Sequence, residues 1–268
     1  DHPLIRAVSF VGSAPVAKHV YARCAQAGKR VQALAGAKNH IVVMPDADLE
    51  MAAPGLFSSA FANAGQRCLA GSVGVAVGGI ADDLVERLVQ IAQASPVGPG
   101  LDPENTITPV TTDEARQRVA KYIELGEKEG ARLLIDGRFE GGNGGFFLGP
   151  TILDQVRPEM KVAQEEIFGP VLTMERLDSL DEALDVIARN EFGNATAIFT
   201  RDGGVARAFR RRVTAGMVGI NIPVPAAMAF FPFAGWKGSF YGDLHATGMD
   251  GVHFFTESKV VTTRWPSG

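Results

Sequence analysis

Short β-branched and apolar runs alternate with amphipathic helical stretches along most of the chain, and this alternation constrains the fold more than any single motif. Strands are predicted over Ala7–Val11, Arg30–Ala35, His40–Met44, Val73–Val77, Ala131–Ile135, Val171–Glu175, Ala195–Thr200 and Gly216–Ile222. Helices are predicted over Pro15–Ala27, Leu49–Asn63, Asp82–Ala94, Thr112–Glu129, Leu180–Asn190 and Gly204–Val213. Strands separated by helices return parallel to one another, so the expected class is α/β with a largely parallel sheet. Pro15 suits a first helical turn. Asp46 and Asp48 are placed to cap the helix that starts at Leu49, and Pro54 inside that helix is expected to kink it or delay its start. Gly141–Gly145 lacks the Lys and Ser/Thr of a phosphate-binding loop and reads as a hairpin tip. Pro223–Trp236 is an apolar loop whose Phe230, Phe231, Phe233 and Trp236 either line a tunnel or cover a core. Val260–Trp265 is a β-branched run, predicted as a strand with an edge open to another chain.

Composition removes several functional classes. A net charge of −4 leaves no basic footprint for nucleic acid or an anionic membrane. Arg210–Arg212 lies in a helical pattern and reads as a solvated face. The two cysteines, Cys24 and Cys68, make neither a disulfide framework nor a zinc site and fit a reducing compartment such as the cytoplasm. No apolar run is long enough to span a membrane. The 268 residues suffice for one large domain or two smaller ones. The chain opens Asp1-His2-Pro3 and runs straight into a strand, which reads as a piece of a longer protein.

Cys68 is the candidate for chemistry. It follows the Ala/Phe/Ser-rich helix and precedes the Val73 strand, among Gly65, Ala70 and Gly71. Residue type alone favours a buried structural cysteine. A thiol on a small-residue turn is also accessible to backbone N–H groups, which lower a thiol pKa and hold an oxyanion. The Gly12-Ser13 turn between strand and helix is a geometry that receives phosphate, though most such turns bind nothing.

Taken in order, Phe10–Ser13, Gly36–Lys38, Pro45–Leu49, Gly65–Cys68, Gly149–Thr151, Glu165–Val171, Asn221, Pro232–Lys237 and Phe255–Lys259 resemble the aldehyde dehydrogenase superfamily over nearly the whole chain. The resemblance implies an aldehyde dehydrogenase-like catalytic domain with a parallel sheet, plus part of a Rossmann-type nucleotide-binding domain. It places a remnant of the NAD-binding domain at 1–36, the catalytic domain at 37–224, and a return segment with an oligomerisation strand at 225–268. It implies Cys68 as nucleophile, Ser13 facing the cofactor pyrophosphate, Glu166 on the nicotinamide ribose, Phe168 beside the ring and Phe233 at the substrate. On residues alone, Glu166 reads as a capped turn, and Asn39 and His40 as satisfied core contacts. Arg67 suits a substrate carboxylate and favours the Cys68 thiolate, or it pairs with a structural acid.

Hydrolytic members carry a Glu at the position of Leu34; neither Leu34 nor Ala35 can take a proton. With Gly36–His40 and Ala227–Phe233, this departure resembles the coenzyme A-acylating, methylmalonate-semialdehyde branch. The expectation is therefore NAD-dependent oxidation of malonate or methylmalonate semialdehyde through a Cys68 thioester, with coenzyme A as acceptor, in a homo-dimer or homo-tetramer. The alternative is a catalytically incomplete oligomerisation or interaction module of the same fold.

Overall fold

The computed structural model describes residues 1–138 and 145–267. The chain runs β1 (Ala7–Val11), α1 (Ala14–Gln26), β2 (Arg30–Leu34), β3 (Asn39–Val43), α2 (Leu49–Phe61), β4 (Gly71–Val77), α3 (Ala81–Gln93), α4 (Asp113–Glu129) and β5 (Arg132–Ile135). It continues through β6 (Thr151–Asp154), α5 (Lys161–Gln164), β7 (Val171–Leu177), α6 (Leu180–Arg189), β8 (Phe192–Gly193), β9 (Ala195–Phe199), α7 (Gly203–Arg212) and β10 (Met217–Ile220). It closes with β11 (Trp236–Lys237), β12 (Phe240–Gly242) and α8 (Gly248–Phe255).

The main sheet has the order β10-β9-β3-β4-β7-β6-β5, parallel throughout except for the β5–β6 edge pair. All five residues of β3 are buried, as are the first five of β7. Such runs, buried on both faces, are what a parallel sheet covered by helices requires. On one face Ala52, Leu56 and Phe57 of α2 pack with Leu84 and Leu88 of α3 and Val119 and Ile123 of α4. On the other, Ala183, Leu184 and Ile187 of α6 and Phe209 of α7 cover Val42, Val73, Val75 and Ile198. A smaller sheet, β1-β2-β12, is covered by Ala17 of α1. Its third strand comes from far along the chain and pairs antiparallel, with Phe240 opposite Leu34.

Local chemistry explains most helix limits. The Asp48 carboxylate accepts from the Glu50 N–H at 3.0 Å and starts α2. Pro54 sits well inside α2 and does not delay it. Asp46 caps nothing; its carboxylate accepts from the Thr200 hydroxyl and the Arg201 N–H instead, tying β3 to β9. Thr112 caps α4, and Gly130 ends it at a φ of 101°, a conformation glycine adopts without a Cβ penalty. One further expectation needs correction. The helix through Asn63 stops at Phe61, because Asn63 and Ala64 adopt left-handed backbone. The Val260–Trp265 run, expected to pair with another chain, pairs with none of the described residues of this one, and Val260, Val261 and Trp265 stand exposed. The predicted hairpin tip falls largely on residues 139–144, outside the described residues.

Candidate active site

The segments that lead into β3, β4, β7 and β9 converge at the amino ends of these parallel strands. Ligands of open α/β sheets usually sit at the carboxyl ends. Here the candidate nucleophile, Cys68, lies on a helix-to-strand turn, and such a turn reaches only the amino end. Between α2 and β4 the chain passes through three consecutive left-handed residues, Asn63 (φ 55°), Ala64 (φ 52°) and Gly65 (φ 68°). The two non-glycine residues store strain of about 1–2 kcal/mol each. Gly65 is required by contact as well as conformation: a Cβ there would lie 2.1 Å from the Gly169 carbonyl oxygen. That approach locks the turn carrying Cys68 against the turn carrying Glu166 and Phe168.

Cys68 is partly buried, and its carbonyl accepts from both the Asn39 amide at 2.9 Å and the Asn194 amide at 2.8 Å. Asn39 also donates to the Ala70 carbonyl at 2.8 Å and accepts from the Ala195 N–H at 3.0 Å. One buried amide thus ties the Cys68 turn to β3 and β9. The satisfied-core reading of Asn39 holds, with the addition that it grips the backbone of Cys68 itself. Asn39→Ala strands these partners and is expected to destabilise the fold by about 3 kcal/mol. Denaturant unfolding checks this; a loss under about 1 kcal/mol contradicts the clamp.

The thiol's electrostatics differ from expectation. Burial pushes the Cys68 pKa above the ordinary thiol value, and the Glu166 charge adds to this. The Cys68 and Leu69 backbone N–H groups and Arg67 pull it down, but burial outweighs them. The net direction is upward, which favours the thiol over the thiolate although Arg67 stands beside it.

Arg67 donates through Nη2 to the carbonyls of Ser58 (2.9 Å) and Ser59 (2.8 Å), in the last turn of α2. The negative end of the helix dipole fixes the guanidinium there. Its Nε is buried without a partner, and no carboxylate among the described residues lies within ion-pair distance of it. The alternative of a structural acid partner is thus excluded among these residues. Gln66 accepts from the Thr111 N–H at 2.9 Å and braces the turn from outside. Phe233 packs against the small cluster of Leu69, Ala195 and Met217, which Cys68 also borders. Phe230 and Phe231 do not join this cluster; they are 67% and 58% exposed.

Glu166 accepts from the Ala37 N–H at 3.1 Å. Its other oxygen faces Gly36, where a Cβ would lie 3.1 Å from it. Burial pushes its pKa up, against the Ala37 N–H, Lys38 and Arg118. Phe168, two residues on, has a φ of 54° and is 39% exposed. Ser13 lies at the N-terminus of α1, exposed, with its hydroxyl uncommitted to the helix. Leu34 ends β2 with 9% exposure and leaves no carboxylate at that position. Cys68, Arg67 and Phe233 therefore gather at one place, with Glu166 within electrostatic reach. Among the described residues no side-chain hydrogen bond joins Ser13 to them. Sequence reasoning missed Asn194, Gln66 and the buried carboxylate of Glu175; only the Gly65–Cys68 segment hinted at Gln66.

A cysteine-bearing turn beside a carboxylate-bearing turn at the amino ends of a parallel sheet belongs to the α/β class of enzyme scaffolds, with Cys68 as its candidate nucleophile. The chain belongs to the aldehyde dehydrogenase family, which matches residues 1–261. It is similar to malonate-semialdehyde dehydrogenase 2 of Geobacillus kaustophilus (strain HTA426), at 54% identity over 267 residues, covering 99% of this chain and 55% of that protein. Among solved structures it is similar to methylmalonate-semialdehyde dehydrogenase from Oceanimonas doudoroffii, with a TM-score of 0.98 and 49% identity, over 100% of this chain and 56% of that one. It is also similar to 1-pyrroline-5-carboxylate dehydrogenase from Thermus with bound NAD, with a TM-score of 0.92 and 32% identity, over 98% of this chain and 52% of that one. The chain spans about half the length of the relatives it matches. Among the described residues no helix is long and apolar enough to cross a membrane, and no cluster of metal ligands occurs.

Proposed function

We propose that this chain carries the catalytic part of an NAD-dependent, coenzyme A-acylating dehydrogenase for malonate or methylmalonate semialdehyde. The observation that carries the reading is Arg67. It is a cation beside the thiol, fixed by helix carbonyls and free of any carboxylate among the described residues. A planar guanidinium so placed suits a substrate with its own carboxylate. The names of the similar proteins support the same substrate class.

The residues present fit NAD: an uncommitted Ser13 hydroxyl at a helix N-terminus suits a pyrophosphate, and Glu166 and Phe168 suit a ribose and a ring. When bound, NAD supplies the acceptor for the substrate's hydride. The Cys68 thiol releases its proton to solvent, and the resulting thiolate attacks the aldehyde carbon. The Cys68 backbone N–H is one donor to the resulting oxyanion; the Asn39 and Asn194 amides are committed to the Cys68 carbonyl and are not the second. After hydride loss Cys68 carries the acyl group as a thioester. With Leu34 at the deacylation position, no carboxylate there activates water. A thiol acceptor needs no such base, because thiols ionise near neutral pH. Transfer to coenzyme A frees Cys68, and loss of carbon dioxide leaves acetyl- or propionyl-coenzyme A. The exposed Val260–Trp265 run is the segment we assign to pairing in a homo-dimer or homo-tetramer.

The test is NADH formation from malonate semialdehyde and NAD, with and without coenzyme A. The expected result is a burst that becomes steady turnover only when coenzyme A is present. Steady turnover without it means that water deacylates the enzyme, and the acylating reading falls.

A further inference from the structure

Two buried ionisable groups play no part in the chemistry above. Lys38 is 3% exposed, and its Nζ makes no hydrogen bond. Glu175 is fully buried within β7, and neither of its carboxylate oxygens makes one. Burying either charge alone is strongly unfavourable. The two lie within electrostatic reach of each other, and Lys38 also faces Glu166 and Glu165.

Their placement links the site to a second feature. Lys38 directly follows Ala37, whose N–H holds Glu166. Glu175, Glu165 and His40 line a cavity of about 660 Å³ beside α6, together with Glu159 and Arg189. The His40 ring lies 3.0 Å from the Lys38 carbonyl. Burial and the charges of Lys38 and Lys237 push the imidazole down to about 3, so it stays neutral and adds no charge. Glu166 has Lys38 and Arg118 as its cations; Glu175 has Lys38 and Arg189, with Glu159 opposing. Lys38 is the one group common to both carboxylates.

We propose that Lys38 is a positioning residue for Glu166, holding its carboxylate ionised and in place from a distance, and that Glu175 is the buried counter-charge that keeps Lys38 charged. This rests on the reading of Glu166 as the cofactor-facing carboxylate. In a low-dielectric interior a charge acts strongly without contact. A contact ion pair would occupy the lone pairs of Glu166. A lysine held out of hydrogen-bond range leaves them open to the hydroxyl donors of a ribose. Burial lowers Lys38 to about 8 and raises Glu175 to about 7, so both titrate near neutrality and respond to each other.

The test has two arms. In the first, ¹³C-lysine-labelled protein is titrated by NMR. One lysine is expected to titrate near 8, well below the others, to be absent from Lys38→Met, and to move lower in both Glu166→Gln and Glu175→Leu, each of which removes a negative charge facing it. An ordinary lysine titration for Lys38, or one indifferent to Glu175→Leu, overturns the proposal. In the second arm, steady-state kinetics of the full-length protein are followed against pH. Lys38→Met is expected to raise KM for NAD about tenfold or more with kcat changed less than about threefold. It should also shift the acid limit of NAD binding upward, since Glu166 then protonates more readily. Lys38→Met combined with Glu166→Gln should be no worse than Glu166→Gln alone, as expected when one residue acts through the other. Additive effects overturn the positioning role. Glu166→Gln with unchanged KM for NAD overturns the reading of Glu166 instead, and the NMR arm still decides the Lys38–Glu175 coupling.

Discussion

Cys68→Ser is expected to abolish NADH formation, with a loss on the order of 10⁴-fold or more in kcat, while the unfolding midpoint hardly moves. A serine hydroxyl at this position has no base to activate it. Glu166 is held by the Ala37 N–H, and Leu34 offers no carboxylate. The thiol differs because it is far more acidic than a serine hydroxyl and its thiolate is a much stronger nucleophile, even though burial raises its pKa. The same shift predicts a pH dependence with a definite sign. A raised thiol pKa keeps the protonated form over a wider range, so alkylation of Cys68 by iodoacetamide should climb through the ordinary thiol range and level off only above it. Glu166→Gln removes a charge that raises this pKa and should move the midpoint down. Cys24 is buried in α1 and should remain unlabelled in the native protein. Retention of more than about a hundredth of wild-type turnover by Cys68→Ser would remove Cys68 from the nucleophile role.

The second large effect concerns Arg67. Arg67→Ala is expected to lower kcat/KM for malonate semialdehyde by roughly 10²- to 10³-fold, the loss that accompanies removal of one partner of a buried charge pair. For propanal, which has no carboxylate, the loss should stay below about tenfold. That difference separates the substrate role from the structural one, because the two hydrogen bonds to the end of α2 are lost for both substrates. Arg67→Lys should not rescue the carboxylated substrate. An ammonium has neither the fork nor the reach to hold the Ser58 and Ser59 carbonyls and a carboxylate together. Equal losses for both aldehydes would mean that Arg67 serves only to tether the nucleophile turn.

The main elements were legible in the sequence because their signals are local. The apolar period of 3.6 along Ala81–Gln93 and Leu180–Arg189, and the β-branched runs of β3, β4, β7 and β9, survive in any context. The elements that escaped notice are short and held by distant partners. β8 has two residues and exists because β11 pairs with it. β12 has three and exists because β2 offers an edge. β6 carries no alternation, since all four of its residues are buried. The end of α2 was misplaced because Asn63 and Ala64 turn left-handed only where Gly65 meets Gly169, more than a hundred residues later.

The candidate site divides in the same way. Resemblance to a family was needed to single out Glu166 and the missing base at Leu34; the order of residues by itself was enough to mark Cys68 and Arg67 as chemically capable groups and to set an α/β class. These follow from side-chain chemistry and short-range periodicity, which the chain carries wherever it goes. It took the tertiary structure to decide that the Arg67 cation is fixed by a helix end and meets no acid among the described residues. The same holds for the two amides that grip the Cys68 carbonyl and for the net upward shift of the thiol pKa despite an adjacent cation. Lys38 and Glu175 share one buried field only once β3 and β7 lie on either side of β4. Each of these depends on distance and desolvation between groups far apart in the chain, and those quantities exist only after folding.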